Sequence, residues 1–285
     1  DICPYDPEND ADNDGMCCSD GYTTSETMSY LHFDGQDDWI YVPDDSSFHL
    51  SGKSFTIELW YKTSGIQGEQ VAIVTDYING AWNYFYILLR DDNTVGFAVN
   101  AGGPSSASVD SSFPINDNAW HHIAATRNYE TGYISLFIDG IQVGEEYFTY
   151  NTSDIDSNQG LAIGSNHAGR FIDCSIRDIS ISSTVRYSDD FTPPNNFILD
   201  NNSMIYYDFD SQSLSDLSGN ENHGINHGGA SWVSEDLTTS SGGDICCNDP
   251  ENDADGDLIC GDVDDCPYDP ENDADGDLIC GDIDD

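Results

Sequence analysis

Carboxylates and cysteines recur at fixed spacing at both ends of this chain. Residues 3–17 read CPYDPENDADNDGMC, residues 246–260 CCNDPENDADGDLIC and residues 266–280 CPYDPENDADGDLIC. A loop that wraps calcium needs oxygen ligands at positions 1, 3, 5, 7 and 12, with glycine at 6 for the sharp turn. Counted from Glu251, the further ligands are Asp253, Asp255, the Asp257 carbonyl and Asp262, with Gly256 at the turn. Counted from Asp253, they are Asp255, Asp257, the Ile259 carbonyl and Asp264. Both frames hold at once, so each repeat is expected to bind two ions that share carboxylates. Glu271, Asp273, Asp275, Asp277, Asp282 and Asp284 repeat both frames. The N-terminal copy offers Glu8, Asp10, Asp12 and Asp14, with Asn13 in place of the turn glycine. Its closing positions fall on Ser19 and Gly21, with Asp20 between, so this copy is expected to bind more weakly. Calcium fits such loops better than magnesium, because it accepts six to eight oxygens in irregular geometry.

The charge balance points the same way. The 285 residues hold 54 acidic and 7 basic side chains, a formal net charge of -47. Segments 1–20 and 244–285 contain 24 of those acidic residues and no Lys or Arg. A phosphate backbone needs basic contacts, so nucleic acid is excluded as a natural partner. An anionic membrane surface is disfavoured too, and no apolar run reaches the length of a membrane helix. Self-repulsion of this size calls for bound cations. Eight of the nine cysteines lie in or beside the acidic ends, usage that suits an oxidising, extracellular compartment. The chain opens on Asp with no visible signal peptide, so it reads as a mature or trimmed form.

The elements that carry these ends are strands. Segments 54–62, 84–90, 95–99, 120–127, 133–140, 175–182 and 203–210 place apolar or β-branched residues at period two. Turn signals separate them: Gly-Gly at 102–103, Asp-Gly at 139–140, TPPNN at 192–196 and LSGNENHG at 217–224. Helical periodicity is missing. The expected fold is all-β, an antiparallel two-sheet jelly-roll sandwich with irregular calcium loops at both termini. The expected division is 1–21, 22–240 and 241–285.

The middle resembles a laminin-G-like, concanavalin A-like lectin domain. The resemblance rests on YLHFDGQDDWIYVP (30–43), FTIELWYK (55–62), NAWHHIAATRN (118–128), GYISLFIDGIQVG (132–144) and GLAIGSN (160–166) followed by FIDCSIRDISIS (171–182). DFDSQSLSDLSGNENHG (208–224) resembles a segment that often opens such domains, so the order is expected to be circularly permuted, with the terminal strands side by side. The fold hosts binding modules, enzymes and spacers, so it implies little about activity.

The acidic ends resemble thrombospondin type 3 repeats, calcium loops with almost no regular structure of their own. In the repeat alignment Cys260 and Cys266 flank a boundary and are expected to pair. Cys280 then lacks the cysteine that would open a following repeat, and Cys3 of the next subunit fits that slot. Cys17 and Cys18 are expected to bridge Cys246 and Cys247, leaving Cys174 as a buried thiol in a strand. Sequence alone leaves this connectivity open.

Other residues in the sandwich are candidates for chemistry. His121 and His122 follow Trp120 on one strand, so one is expected to face the core and the other the surface; a metal role is the lesser reading. Asp34, Asp208 and Asp210 are candidates for a calcium site on the sandwich. Trp82, Tyr84 and Tyr86 are candidates for stacking on sugars. Asn151-Thr152-Ser153 and Asn201-Asn202-Ser203 are glycosylation sequons. No carboxylate pair spaced for glycoside hydrolysis occurs in 28–235, nor a nucleophile elbow or zinc motif, so no enzyme is expected. The leading expectation is a secreted structural subunit whose calcium-loaded ends join copies head to tail into a fibre or adhesin. The alternative is a carbohydrate-binding module of a larger surface protein, with the repeats as spacers and glycans as partners.

Overall fold

The structure is a computed structural model, and it describes residues 25–66, 69–76, 83–102, 106–149, 154–165 and 169–238. The expected calcium ligands, the cysteine pairings, Trp82 and the Asn151 sequon lie outside the described residues. The sandwich forms one compact unit, Met28–Glu235.

Fifteen strands are described. They are β1 (Ser25–Asp34), β2 (Trp39–Val42), β3 (Phe55–Lys62), β4 (Val71–Thr75), β5 (Asn83–Leu89), β6 (Thr94–Ala101), β7 (Ser106–Pro114), β8 (His121–Arg127), β9 (Tyr133–Ile138), β10 (Ile141–Tyr147), β11 (Leu161–Ile163), β12 (Asp173–Ser182), β13 (Ser203–Tyr207), β14 (Ile225–His227) and β15 (Ser231–Thr238). One sheet runs β10-β9-β8-β3-β12-β1-β15, with β13 also paired to β12. The other runs β14-β2-β11-β4-β5-β6-β7. This is the expected antiparallel sandwich, and β1 lies beside β15, the adjacency expected of the terminal strands.

Alternation builds the core. In β3 the residues Phe55, Ile57, Leu59 and Tyr61 are fully buried between the sheets. Phe55 touches Phe85 of β5 and Phe97 of β6, each 6.3 Å away between ring centroids, and so ties one sheet to the other. Cys174 is buried on β12 as a free thiol, as expected, and burial raises its pKa well above the ordinary value. The Asp139-Gly140 turn between β9 and β10 has positive φ at both residues, 52° and 79°, the left-handed pair that a two-residue hairpin needs. A Cβ at Gly140 would collide with the Phe191 carbonyl.

That contact belongs to an irregular strap, residues 183–202, which covers part of the outer face of the first sheet. Glu58, Trp60 and His122 lie beneath it. Trp60 Nε1 donates to the Pro194 carbonyl at 3.2 Å, and Arg177 Nη2 donates to the Asn195 carbonyl at 3.1 Å. Phe191 stacks on Tyr187 at 3.6 Å and meets the edge of Phe137 at 5.6 Å.

Candidate functional site

The histidine expectation holds for direction and fails for burial. His121 pairs with Tyr61 and His122 with Trp60 across β3 and β8, so His121 shares the core-side face and His122 the outer one. Yet the outward His122 is the fully buried one, because the strap closes over it. His122 Nε2 stands 3.4 Å from Glu58 Oε2, and neither ring nitrogen has an aligned hydrogen-bond partner. His121 sits at the rim, with Nδ1 2.7 Å from Asp139 and Nε2 3.1 Å from Asp117. The Asp139 hydrogen bond leads in raising the His121 pKa above its ordinary value, against the effect of burial.

Asp34, Asp208 and Asp210 do not form one site. Asp210 Oδ1 accepts from the Ser29 amide at 2.7 Å, whereas Asp34 lies five residues further along the same strand, about 17 Å at the strand rise. Asp208 and Asp210 instead neighbour Asp178, an extra residue at a bulge between β12 and β3 with φ of 46°. Burial, and then the charges of Asp208 and Asp210 working against the Phe209 amide and Arg177, bring the Asp178 pKa up to about 6.

Asp34 groups with Asp37 and Asp38 in the turn from β1 to β2, with carboxylate oxygens all within 4.8 Å of one another. Asp38 Oδ2 accepts from the Asp34 amide at 3.0 Å, and Asp34 Oδ1 accepts from the Gln36 amide at 2.8 Å. Burial raises the Asp38 pKa, with Asp34 and Asp37 adding to the rise against that amide bond. Three oxygen donors at this spacing are the chemistry of a hard divalent cation. The adjacent aspartates of GQDDW carry that signal in the sequence, where Asp34 alone stands out beside Asp208 and Asp210.

Tyr84 and Tyr86 occupy the outer face of the seven-stranded sheet. Phe85, Ile87 and Leu89 of β5 turn into the core, which sends the alternate positions Tyr84 and Tyr86 outward. The two rings stack 5.6 Å apart at 19°. Across the ladder, Asn100 faces Tyr84 and Ala98 faces Tyr86. Asn100 Nδ2 donates to the Tyr84 hydroxyl at 3.2 Å. Arg90 stands on the same face, with Nε donating to Asp110 at 2.6 Å and Nη1 to Gln70 at 3.1 Å.

The same face carries a second group of rings. Tyr41 of β2 lies in register with Ala162 of β11, then Thr75 of β4, then Tyr86. Three strand spacings separate Tyr41 from Tyr86, about 14 Å. Beside Tyr41, Trp39 stacks on His227 at 4.5 Å and 14°. Each aromatic pair can stack on a flat apolar face, while Asn100, Arg90 and Asp110 beside Tyr84 and Tyr86 supply hydrogen bonds; Ala162 and Thr75, between the two pairs, are buried. Trp39, Tyr41 and His227 escape sequence reasoning, although their aromatic types in short polar strands are the available signal.

Among solved structures, a Bacteroides ovatus protein proposed to bind carbohydrate is similar at 16% identity and a TM-score of 0.55, over 73% of this chain and 60% of that one. Domains LG4-5 of the mouse laminin alpha1 chain match at 14% identity and a TM-score of 0.44, over 59% of this chain and 45% of that one. This chain thus spans less than two thirds of either. The family profile of the concanavalin A-like lectin/glucanases superfamily matches residues 34–190. That span is more than half of the 285 residues, and the chain belongs to the concanavalin A-like lectin/glucanases superfamily.

Proposed function

We propose that this chain is an extracellular, non-catalytic adhesive module whose sandwich binds carbohydrate on the outer face of the seven-stranded sheet. The observation that carries this reading is the stacked pair Tyr84 and Tyr86, facing outward beside Asn100, Arg90 and Asp110. A pyranose ring has one apolar C–H face and a polar rim, and an aromatic shelf flanked by amide and charged groups matches both. The Trp39–His227 shelf on the same face suits a chain of several sugars rather than a single one. Superfamily membership supports the reading, as does the fold shared with the Bacteroides ovatus protein. Neutral oligosaccharides on a glycan array, followed by titration calorimetry, test it. Y84A with Y86A is expected to weaken binding at least tenfold while leaving the melting temperature nearly unchanged. Absence of binding to every glycan tried would overturn the reading.

A second reading concerns assembly. The acidic ends are calcium-loaded connectors that join copies head to tail, through Cys280 of one subunit and Cys3 of the next. The ligands are Glu8, Asp10, Asp12, Asp14, Asp20, Glu251, Asp253, Asp255, Asp257, Asp262, Asp264, Glu271, Asp273, Asp275, Asp277, Asp282 and Asp284. The adjacency of β1 and β15 favours it, since the first and last strands of the sandwich then lie together. A head-to-tail contact that does not close grows a filament. Sedimentation with and without calcium, and mass spectrometry of non-reduced peptides, test it. A strictly monomeric protein at high calcium, or Cys3 bridged within its own chain, would overturn it.

A further inference from the structure

Lys53 differs from every other basic residue of the chain. Lys62 pairs with Glu235, Arg90 with Asp110, Arg170 with Glu69, Arg177 with Asp178, and Arg186 with Asp200. Arg127 is buried against the rings of Tyr129 and Phe148. Lys53 is exposed yet has no carboxylate partner among the described residues, although the chain holds 54 acidic side chains. Its ammonium is exposed, in the turn that leads into β3.

The surroundings of Lys53 are unusual for so acidic a protein. It lines a surface bowl with Ser47, Ser183, Asn201, Asn202 and Asn220, floored by Ser203 and Met204, and no carboxylate lines it. The walls are held in place. Ser183 bonds the Asn202 carbonyl through its amide at 2.8 Å and through its hydroxyl at 3.2 Å. Asn220 Nδ2 donates to the carbonyls of Ser203 at 3.2 Å and Met204 at 3.1 Å. The nearby Asp200 is bound by both terminal nitrogens of Arg186, at 3.3 and 3.1 Å, and also accepts from the Asn202 amide at 2.8 Å. Asn201 is exposed on the wall of the bowl.

We propose that this bowl binds the carboxylate of an acidic sugar, with Lys53 as its counter-charge and the exposed Asn201 amide as its hydrogen-bond donor. The inference rests on the carbohydrate-binding reading and adds a charge-selective site apart from the Tyr84 shelf. A bowl with an unpaired cation and neutral polar walls, whose one neighbouring carboxylate is already paired with Arg186, is complementary to one negative charge carried on a hydroxyl-rich ligand. A run of aspartates from another copy carries the same group. It would bring many charges against a chain of net charge -47, and like charges in apposition oppose such docking. A sugar acid brings one.

The test compares an oligomer of glucuronic acid with its methyl ester, which has the same shape and no charge. The full chain is expected to bind the acid at least tenfold more tightly than the ester, with the difference shrinking between low and high salt. K53E and N201D are expected to erase the difference and to leave binding of neutral glycans intact, whereas Y84A, on the other sheet, should leave the acid-to-ester difference in place. Equal binding of acid and ester, or an acid preference that survives K53E, overturns the subsite and leaves the carbohydrate reading standing. No binding of either ligand or of any neutral glycan overturns the carbohydrate reading, and the subsite with it. K53E that abolishes calcium-dependent self-association without changing sugar binding would assign the bowl to carboxylates of a second copy, and would also overturn the sugar subsite.

Discussion

Ser29 Oγ and Ser234 Oγ lie 3.1 Å apart although 205 positions separate them in sequence. One belongs to the first strand of the sandwich and the other to the last, and β1 and β15 are neighbours in the same sheet. Tyr30 donates to Glu235 at 2.6 Å on the opposite face of the same seam. The first and last described strands of the sandwich thus lie side by side in one sheet.

This seam is expected to hold through packing more than through its hydroxyl pair. Trp232 packs edge-on against Phe209 at 5.4 Å, so W232A should cost about 2–3 kcal/mol, below the range for a fully buried ring. S29A with S234A removes donor and acceptor together and should cost under about 1 kcal/mol. Urea unfolding of the three proteins checks the ranking, and a larger loss for the serine pair would show that the polar contact holds the seam.

The strap gives a sharper prediction. Tyr187 donates to Glu58 Oε2 at 2.7 Å in a site closed to solvent. Burial, then the Glu58 charge, push the Tyr187 pKa well up, so the hydroxyl keeps its proton and remains a donor. Y187F leaves a buried carboxylate oxygen without that donor and should cost about 1–3 kcal/mol. E58A should cost more than Y187F, because it removes the Tyr187 acceptor and the carboxylate 3.4 Å from His122 together, while Arg186 keeps Asp200. Equal stabilities for both variants in urea unfolding would mean that the strap rests on its aromatic contacts alone.

Much of the scaffold was legible in the sequence, because burial on one face writes itself as alternation. Expected strands at 54–62, 84–90 and 175–182 correspond to Phe55–Lys62, Asn83–Leu89 and Asp173–Ser182. The edge strand Ser106–Pro114 was not legible. Ala107, Val109 and Ser111 turn inward while Ser106, Ser108 and Asp110 face water, and so few apolar residues give no periodic signal. Proximity across the fold was illegible for a different reason. Asp34 and Asp210 look alike as acidic residues near strand ends, and only the register of β1 separates them. Glu58, in the middle of FTIELWYK, reads as solvent-facing by alternation, and it does point outward. What buries it is the strap, whose polar, proline-containing sequence carries no mark of covering anything.

Asp178 should leave a trace in the pH dependence of stability. Its folded pKa is up at about 6, from an ordinary value of 3.8, chiefly through burial. The folded state therefore holds this proton more tightly than the unfolded chain. The contribution is full below the unfolded value, declines as pH rises between the two, and is lost above about 6. A rise of this size corresponds to about 3 kcal/mol of stability. D178N keeps the left-handed backbone accessible and removes the titration. The stability difference between wild type and D178N is expected to move by roughly that amount from pH 4 to pH 7, with wild type relatively better at low pH. Parallel curves across that window would show that Asp178 is ionised in the fold throughout.

Calcium removal is expected to act on the acidic ends and on the sandwich differently. The ends hold 24 of the 54 acidic residues and no basic ones, so without cations their loops repel themselves. The sandwich has its own apolar core, in which Phe33, Phe55, Phe85 and Phe97 are buried. An ion that binds only the folded loop stabilises it by about 2.7 kcal/mol at a concentration one hundred times its dissociation constant. Calorimetry is therefore expected to show a transition of the repeats that rises with calcium and disappears in EGTA, and a separate transition of the sandwich. If calcium also occupies the turn at Asp34, Asp37 and Asp38, the sandwich transition rises with calcium as well, and D37A removes that rise alone. A thermogram that EGTA leaves unchanged in both transitions would sink calcium as the counter-charge, and the acidic repeats would then need another means of bearing their own repulsion.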